Sequence, residues 1–253
     1  MLGLHFLMQD LMSTPYDWTK DVEPVPYTPK FRFAKEMFFT GESYTPFSLM
    51  DVEPCASVSD GSGAVFSPNG LFMYREVVLK ARASLDCSSG KKRGSVAFDS
   101  DVLIPQVHQV FHRGEGRLKT DLWMSHTPNE VMTLRPGTRL AKGHVVIGGL
   151  GLGYQLLEVA KKKSVKRITV IERGQELVDW LLPLILAKLP REIQVDVVVG
   201  DVFEELPKLT ADVALVDVWA SMSGCQGYSP KSARGLRKST PNIPTIWCWG
   251  ESS

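Results

Sequence analysis

The chain has 253 residues, 43% of them apolar and 23% charged, with 29 Lys and Arg against 28 Asp and Glu. These proportions exclude a wholly disordered chain, and a net charge of +1 argues against nucleic acid as the partner. No apolar run reaches the roughly 20 residues a membrane helix needs, and the longest candidate, Trp180 to Ala187, contains Pro183.

In chain order, the amino-terminal stretch MLGLHFLMQD is apolar but has no basic leader and no cleavage signal, so no secretory peptide is expected. Cys55, Cys87, Cys225 and Cys248 are widely spaced with no C-x-x-C pair. That speaks against a zinc knot or redox dithiol and for reduced thiols in a cytoplasmic protein. Up to residue 70, Pro15, Pro24, Pro26, Pro29, Pro46, Pro54 and Pro68 interrupt any long helix, while rings such as Tyr16, Trp18, Phe31 and Phe33 are interleaved. This predicts extended segments draped over a core. Residues 76–104 read as a β-hairpin: Leu79, Ala81, Ala83 and Leu85 alternate with Lys80, Arg82 and Ser84, the turn is Asp86 to Gly94, and a second run from Val96 ends at Pro105. His108 and His112 stand four apart without a third ligand, so no metal site is assigned. His126, in MSHTPNE, is a candidate base or substrate contact in an exposed loop.

From His144 the texture changes. Strands are predicted over 144–147, 167–171, 194–199, 212–218 and 245–249, and helices over 154–163, 175–188, 202–206 and 229–238. Alternating β and α units with near-continuous Val/Ile/Leu strands mean a mostly parallel sheet covered by helices on both faces, an α/β Rossmann-like domain. We divide the chain into an N-terminal β-containing region, 1–124, and this domain, 125–253.

The strongest chemical signal is VVIGGLGLGYQLLEVA at 145–160, a buried strand running into Gly149-x-Gly151-x-Gly153 and then a helix. Glycines let a backbone approach a ligand closely, and the helix start offers free N–H groups. Tyr154 occupies the place of the third dinucleotide glycine, which turns the reading from a diphosphate toward a nucleoside ligand. Three acids follow at predicted strand ends: Glu172, positioned for ribose hydroxyls; Asp201, positioned for an adenine amino group beside the N–H of Val202; and Asp217. Asp217 reads equally as a catalytic group, an orienting group or a helix cap. The basic run Lys161–Lys163 with Lys166 and Arg167 reads as a solvated face at a helix end.

Residues 144–219 resemble the class I S-adenosylmethionine-dependent methyltransferase fold, and the IGGLGLG turn is especially similar to the spermidine-synthase-like branch. The resemblance implies S-adenosylmethionine as cofactor, with Gly149, Gly151 and Gly153 facing its methionine part, Glu172 holding ribose, and Asp201 with Val202 reading adenine. It implies methyl transfer; the charge balance, which lacks a nucleic-acid footprint, makes a small molecule the expected acceptor, with Asp217 or His126 accepting a proton or orienting it. Three alternatives stand beside it, one of them methylation of a nucleic acid in place of a small molecule. Aminopropyl transfer is disfavoured because Ala220 replaces the second acid typical of that branch. A non-catalytic nucleoside-binding or scaffold protein would keep the fold alone. After Trp249 only Gly250, Glu251, Ser252 and Ser253 remain, so the sheet is expected to be shortened, its edge covered by the N-terminal segments or by a second copy in a homo-oligomer.

Overall fold

The computed structural model describes residues 48–50, 52, 54, 63–81, 83, 85–89, 92–96, 101–114, 117–219 and 229–250. The chain forms two compact units, Met1–Met132 and Thr133–Ser253. Of the segments up to residue 70 expected to drape over a core, residues 1–47, 51, 53 and 55–62 lie outside the described residues. No helix among the described residues is long and apolar enough to cross a membrane.

The N-terminal unit carries β1 (Val65–Phe66), β2 (Phe72–Leu79), β3 (Leu85–Ser89), β4 (Lys92–Val96), β5 (Val102–Gly114) and β6 (Arg117–Ser125). Four of them form an antiparallel sheet in the order β1-β2-β5-β6, while β3 and β4 pair with each other. The expected single hairpin over 76–104 is therefore corrected. β2 pairs with β5 from Phe72↔Gln109 to Leu79↔Val102, and the connection between them is its own small hairpin. Pro105 does not end the strand; it sits inside β5 opposite Glu76. Its carbonyl accepts from His126 N at 2.9 Å, just past the end of β6, and its missing N–H points to that same side, where no ladder bond is needed.

This sheet buries polar groups on both faces. Tyr74 OH donates to Glu76 Oε1 at 2.7 Å, and Ser48 Oγ donates to the same oxygen. Burial and Glu76 together push the Tyr74 hydroxyl well above the usual phenol range. On the opposite face Arg75 Nε and Nη2 donate to Gln106 Oε1 at 3.2 and 3.1 Å, and His108 Nε2 meets that oxygen at 3.0 Å. Burial, reinforced by the Arg75 charge, drops the His108 pKa to about 3. The ring is therefore neutral at physiological pH, with its proton on Nε2 facing Gln106.

The helix α1 (Pro128–Leu140) was not among the expected elements; it carries Pro136 and Gly137 in its interior. Gly137 is instead a packing residue: a Cβ there would lie 2.3 Å from Trp247 Cε3. We predict that Gly137→Ala destabilises the protein by about 1–3 kcal/mol, since overpacking outweighs the ~1 kcal/mol that alanine adds to helix propensity. A lowered urea midpoint with unchanged slope would show it; a raised midpoint would mean the Trp247 ring yields freely.

The C-terminal unit continues with β7 (Gly143–Gly148), α2 (Tyr154–Ala160), β8 (Val165–Glu172), α3 (Gln175–Leu186), β9 (Gln194–Val199), α4 (Val202–Glu205), a 3-10 turn (Leu206–Lys208), β10 (Val213–Val216), α5 (Pro230–Ser239) and β11 (Thr245–Cys248). The sheet is entirely parallel, in the order β11-β10-β7-β8-β9. Val145, Val146 and Ile147 of central β7 are all buried, so both faces are covered. On one face Val146, Ile171, Val202, Val216, Ala233 and Leu236 form one apolar cluster beneath α4 and α5. The winding runs outward from β7 to β9, then reverses to β10. A switch point therefore lies between the carboxyl ends of β7 and β10, the place where such sheets leave a crevice.

The basic run after α2 is largely structural. Lys162 Nζ donates to Thr138 O and Arg139 O at 2.8 and 2.7 Å, satisfying carbonyls at the end of α1. Arg191 donates to Ala160 O, Lys162 O and Val165 O at 2.9, 2.9 and 2.7 Å. Arg167 pairs with Asp196 at 2.6 Å, and Lys161 pairs with Glu158.

Candidate functional site

Backbone bonds running past the strand ends hold the loops of the C-terminal unit side by side. Gly149 N donates to Ile171 O at 2.8 Å, Gly200 N to Glu172 O at 3.0 Å, and Asp217 N to Gly148 O at 2.8 Å. Residues just past four strand ends are thus tied together along the carboxyl edge of the sheet.

The glycine turn takes the shape its sequence requires. Gly149, Gly151 and Gly153 have φ of 96°, 55° and 80°. Leu150 and Leu152 between them are buried, so the turn is pinned from below. A Cβ on Gly149 would lie 2.3 Å from the Asp217 carbonyl oxygen, and one on Gly153 2.6 Å from the Ile185 side chain. No side chain caps α2, whose first turn follows directly from Gly153. Tyr154 is anchored away from that turn: its hydroxyl bonds Arg135 of α1, and burial first, then Glu158, raises it to about 12 against the Arg135 charge. Gln155 is 7% exposed, and its Nε2 has no hydrogen-bond partner among the described residues. A buried donor left unmatched by folding asks for an acceptor from outside the chain.

Glu172 ends β8 and already spans two loops. Its Oε2 accepts from Leu150 N of the glycine turn at 2.9 Å, and its Oε1 from Gly174 N at 2.8 Å. The expectation from sequence placed this carboxylate at a ribose; the structure adds that it ties the glycine turn to the end of β8. Asp201 is the N-cap of α4, with Oδ1 accepting from Phe203 N at 2.9 Å. Val202 buries its side chain against the β7 end: a Cβ on Gly148 would lie 2.7 Å from Val202 Cγ2.

Asp217 follows β10 directly. It does not cap the next helix; Ser229 does, accepting from Ser232 N at 3.4 Å. The residue as a whole keeps some surface, but its carboxyl is enclosed by protein, and that desolvation alone raises its pKa to about 7. Its neighbour Val218 is 41% exposed and approaches within 3.5 Å of the Cβ position of Gly149. Trp219 meets Phe203 edge to face, with ring centroids 6.3 Å apart. This contact bridges the ends of β10 and β9, and sequence reasoning missed it, because only the fold brings 203 and 219 together.

Gly149, Gly151, Gly153, Glu172, Asp201, Val202 and Asp217 all lie at or just past the carboxyl ends of strands in one unit, whereas His126 belongs to the N-terminal unit. The expected exposed loop for His126 is corrected: the residue is 2% exposed, held by its backbone bond to Pro105.

The C-terminal unit has a Rossmann-like fold: a five-stranded parallel sheet wound in both directions from β7, with a glycine turn after the first strand. Among solved structures the chain is similar to a spermidine synthase from Thermotoga maritima, at 13% identity and a TM-score of 0.38 over 76% of this chain and 62% of that one. It is similar to an S-adenosylmethionine-dependent methyltransferase from Thiobacillus denitrificans in complex with S-adenosyl-L-homocysteine, at 25% identity and a TM-score of 0.33 over 45% and 44% of the two chains. A third similar structure is a putative RNA methyltransferase from Pyrococcus horikoshii, at 19% identity and a TM-score of 0.35 over 49% and 60%. The chain covers less than two thirds of the length of each. No family model matches the sequence, and no curated protein matches it.

Proposed function

We propose that the C-terminal unit binds S-adenosylmethionine across the ends of β7, β8 and β9 and transfers its methyl group to an acceptor beside Asp217. The observation that carries this reading is the Glu172 bond to Leu150 N at 2.9 Å, which joins the two loops that one nucleoside would have to span. The glycine turn offers a surface without side chains, and the unmatched Gln155 amide supplies a donor near it. Glu172 would face the ribose, and Asp201, with the first amide of α4 at Val202, would face the adenine.

When bound, S-adenosylmethionine supplies an electrophilic methyl group. The chain's part is positioning and proton handling. Val218 and Gly149 narrow the crevice beside Asp217. A carboxyl with a pKa of about 7 is divided between its two forms at neutral pH, suited to receive a proton from an acceptor as that acceptor becomes nucleophilic.

Calorimetry with S-adenosylhomocysteine tests the binding half. Asp201→Asn keeps an N-cap of equal quality but puts an amide where the adenine needs a carboxylate. We expect unchanged thermal stability and affinity weakened by about tenfold, the size of one lost hydrogen bond to a charged group. Equal affinity in the two proteins would overturn the adenine assignment. A labelled-methyl screen of candidate acceptors then tests transfer, and tight binding without any transfer would favour a non-catalytic role.

A further inference from the structure

The near-zero net charge of the chain conceals a local imbalance. Between Asp217 and Glu251 there is no acidic residue, while Lys231, Arg234, Arg237 and Lys238 all fall in α5. The helix sorts these cations. Ala233 and Leu236 are buried, and Arg237 turns inward to donate from Nε and Nη2 to Ile246 O at 3.3 and 3.0 Å. Lys231, Arg234 and Lys238 are exposed and meet no carboxylate among the described residues. They stand at i, i+3 and i+7, one stripe about 10 Å long.

Gly235 lies within that stripe, exposed, and a Cβ there would meet nothing within 4 Å. A glycine on an open helix face costs the helix ~1 kcal/mol, and here packing does not require it. It leaves a notch among the cations where a partner's backbone can approach the helix closely. Because α5 connects parallel β10 to β11, its amino end lies at the strand-end crevice and the stripe runs outward from there. On the same rim, Phe203 is 39% exposed and rests edge-on against Trp219, which packs on the cluster containing Ala233 and Leu236.

We propose that the outer face of α5 docks single-stranded nucleic acid by its phosphate backbone, with Phe203 at the rim as a stacking surface. Unpaired cations in line beside an exposed ring are what a flexible polyanion with flat bases requires. An anionic membrane fits less well, because the apolar residues of α5 are spent on the core and none is left on its outer face to enter a bilayer. The inference stands apart from the methyl-transfer reading, since none of the three stripe cations is assigned to the nucleoside site.

The test is fluorescence anisotropy with labelled single-stranded RNA and DNA oligonucleotides of about 12 nucleotides, the scale of one such site. The intact chain should bind with log affinity falling against log salt at a slope of about −2, three contacts at ~0.7 each for a single strand. Lys231→Gln with Arg234→Gln and Lys238→Gln should abolish that slope while retaining the parent's affinity for S-adenosylhomocysteine. Phe203→Ala should weaken oligonucleotide binding by about tenfold with the slope kept, as loss of one stacked base predicts. Absence of binding at low salt, or a slope unchanged in the triple variant, would overturn the proposal. So would binding that ignores Phe203→Ala, which would point to an acidic protein, or capture by phosphatidylserine vesicles but not by oligonucleotides.

Discussion

At pH 8 Asp217→Asn should melt at a higher temperature than the parent protein, and at pH 4 the two should melt together. The folded carboxyl has a pKa of about 7 against 3.8 unfolded, through burial alone. Below about pH 4 the group is protonated in both states and costs nothing. As the pH rises toward 7 the unfolded chain has released the proton while the folded chain still holds it, so stability falls. Above 7 the folded protein carries a desolvated charge, and the accumulated loss is on the order of 4 kcal/mol. Asparagine keeps the shape without the charge and escapes it. Melting curves from pH 4 to 9 decide the matter: parallel curves for the two proteins would mean that the carboxyl ionises as freely as one in water. A cost of that size is what the proton-handling role proposed for Asp217 would require.

Gly149→Ala should be the most damaging single methyl in the C-terminal unit. Its φ of 96° suits no L side chain, and the new Cβ would lie 2.3 Å from a backbone oxygen of Asp217. That oxygen cannot retreat cheaply, because Asp217 N is bonded to Gly148 O at 2.8 Å. Strain and clash together cost about 3 kcal/mol or more, and relief requires the turn to move from the positions that would face a nucleoside. We expect a clear drop in the urea midpoint and loss of S-adenosylhomocysteine binding by at least about a hundredfold, some 2.7 kcal/mol. Gly235→Ala is the matched control. It meets open space on an ordinary helix and should raise stability by about 0.5–1 kcal/mol. If both variants bound the ligand as the parent does, the glycine turn would have no part in binding.

The parallel sheet was legible because its strands are covered on both faces and read as unbroken Val and Ile runs; β9 falls at Gln194–Val199 as predicted, and β7, β8, β10 and β11 fall within a residue or two. The candidate acids were legible for the same reason, since each closes such a run. What was hidden depends on contacts between distant segments. Gly137 looks like a helix breaker until Trp247 is seen against it, and Pro105 looks like a strand end until the end of β6 is seen beside it. The Glu172 bond to Leu150 and the Phe203–Trp219 contact join loops that only the winding of the sheet makes adjacent. The exposed stripe on α5 was hidden by arithmetic of another kind, a whole-chain sum in which acids elsewhere cancel its charge.

The doubly engaged Glu172 carboxylate bears on the thermodynamics of recognition. With Leu150 N and Gly174 N already held at 2.9 and 2.8 Å, the glycine turn is ordered before any ligand arrives. The entropy of fixing that loop is charged to folding, not to binding. A diol reaching this carboxylate meets acceptor lone pairs that are pre-aimed but partly occupied, so it must share them with the backbone or displace it. Under the proposed function, recognition would be an exchange of hydrogen-bond partners on this carboxylate, with the protein's own amides as the competing ligand.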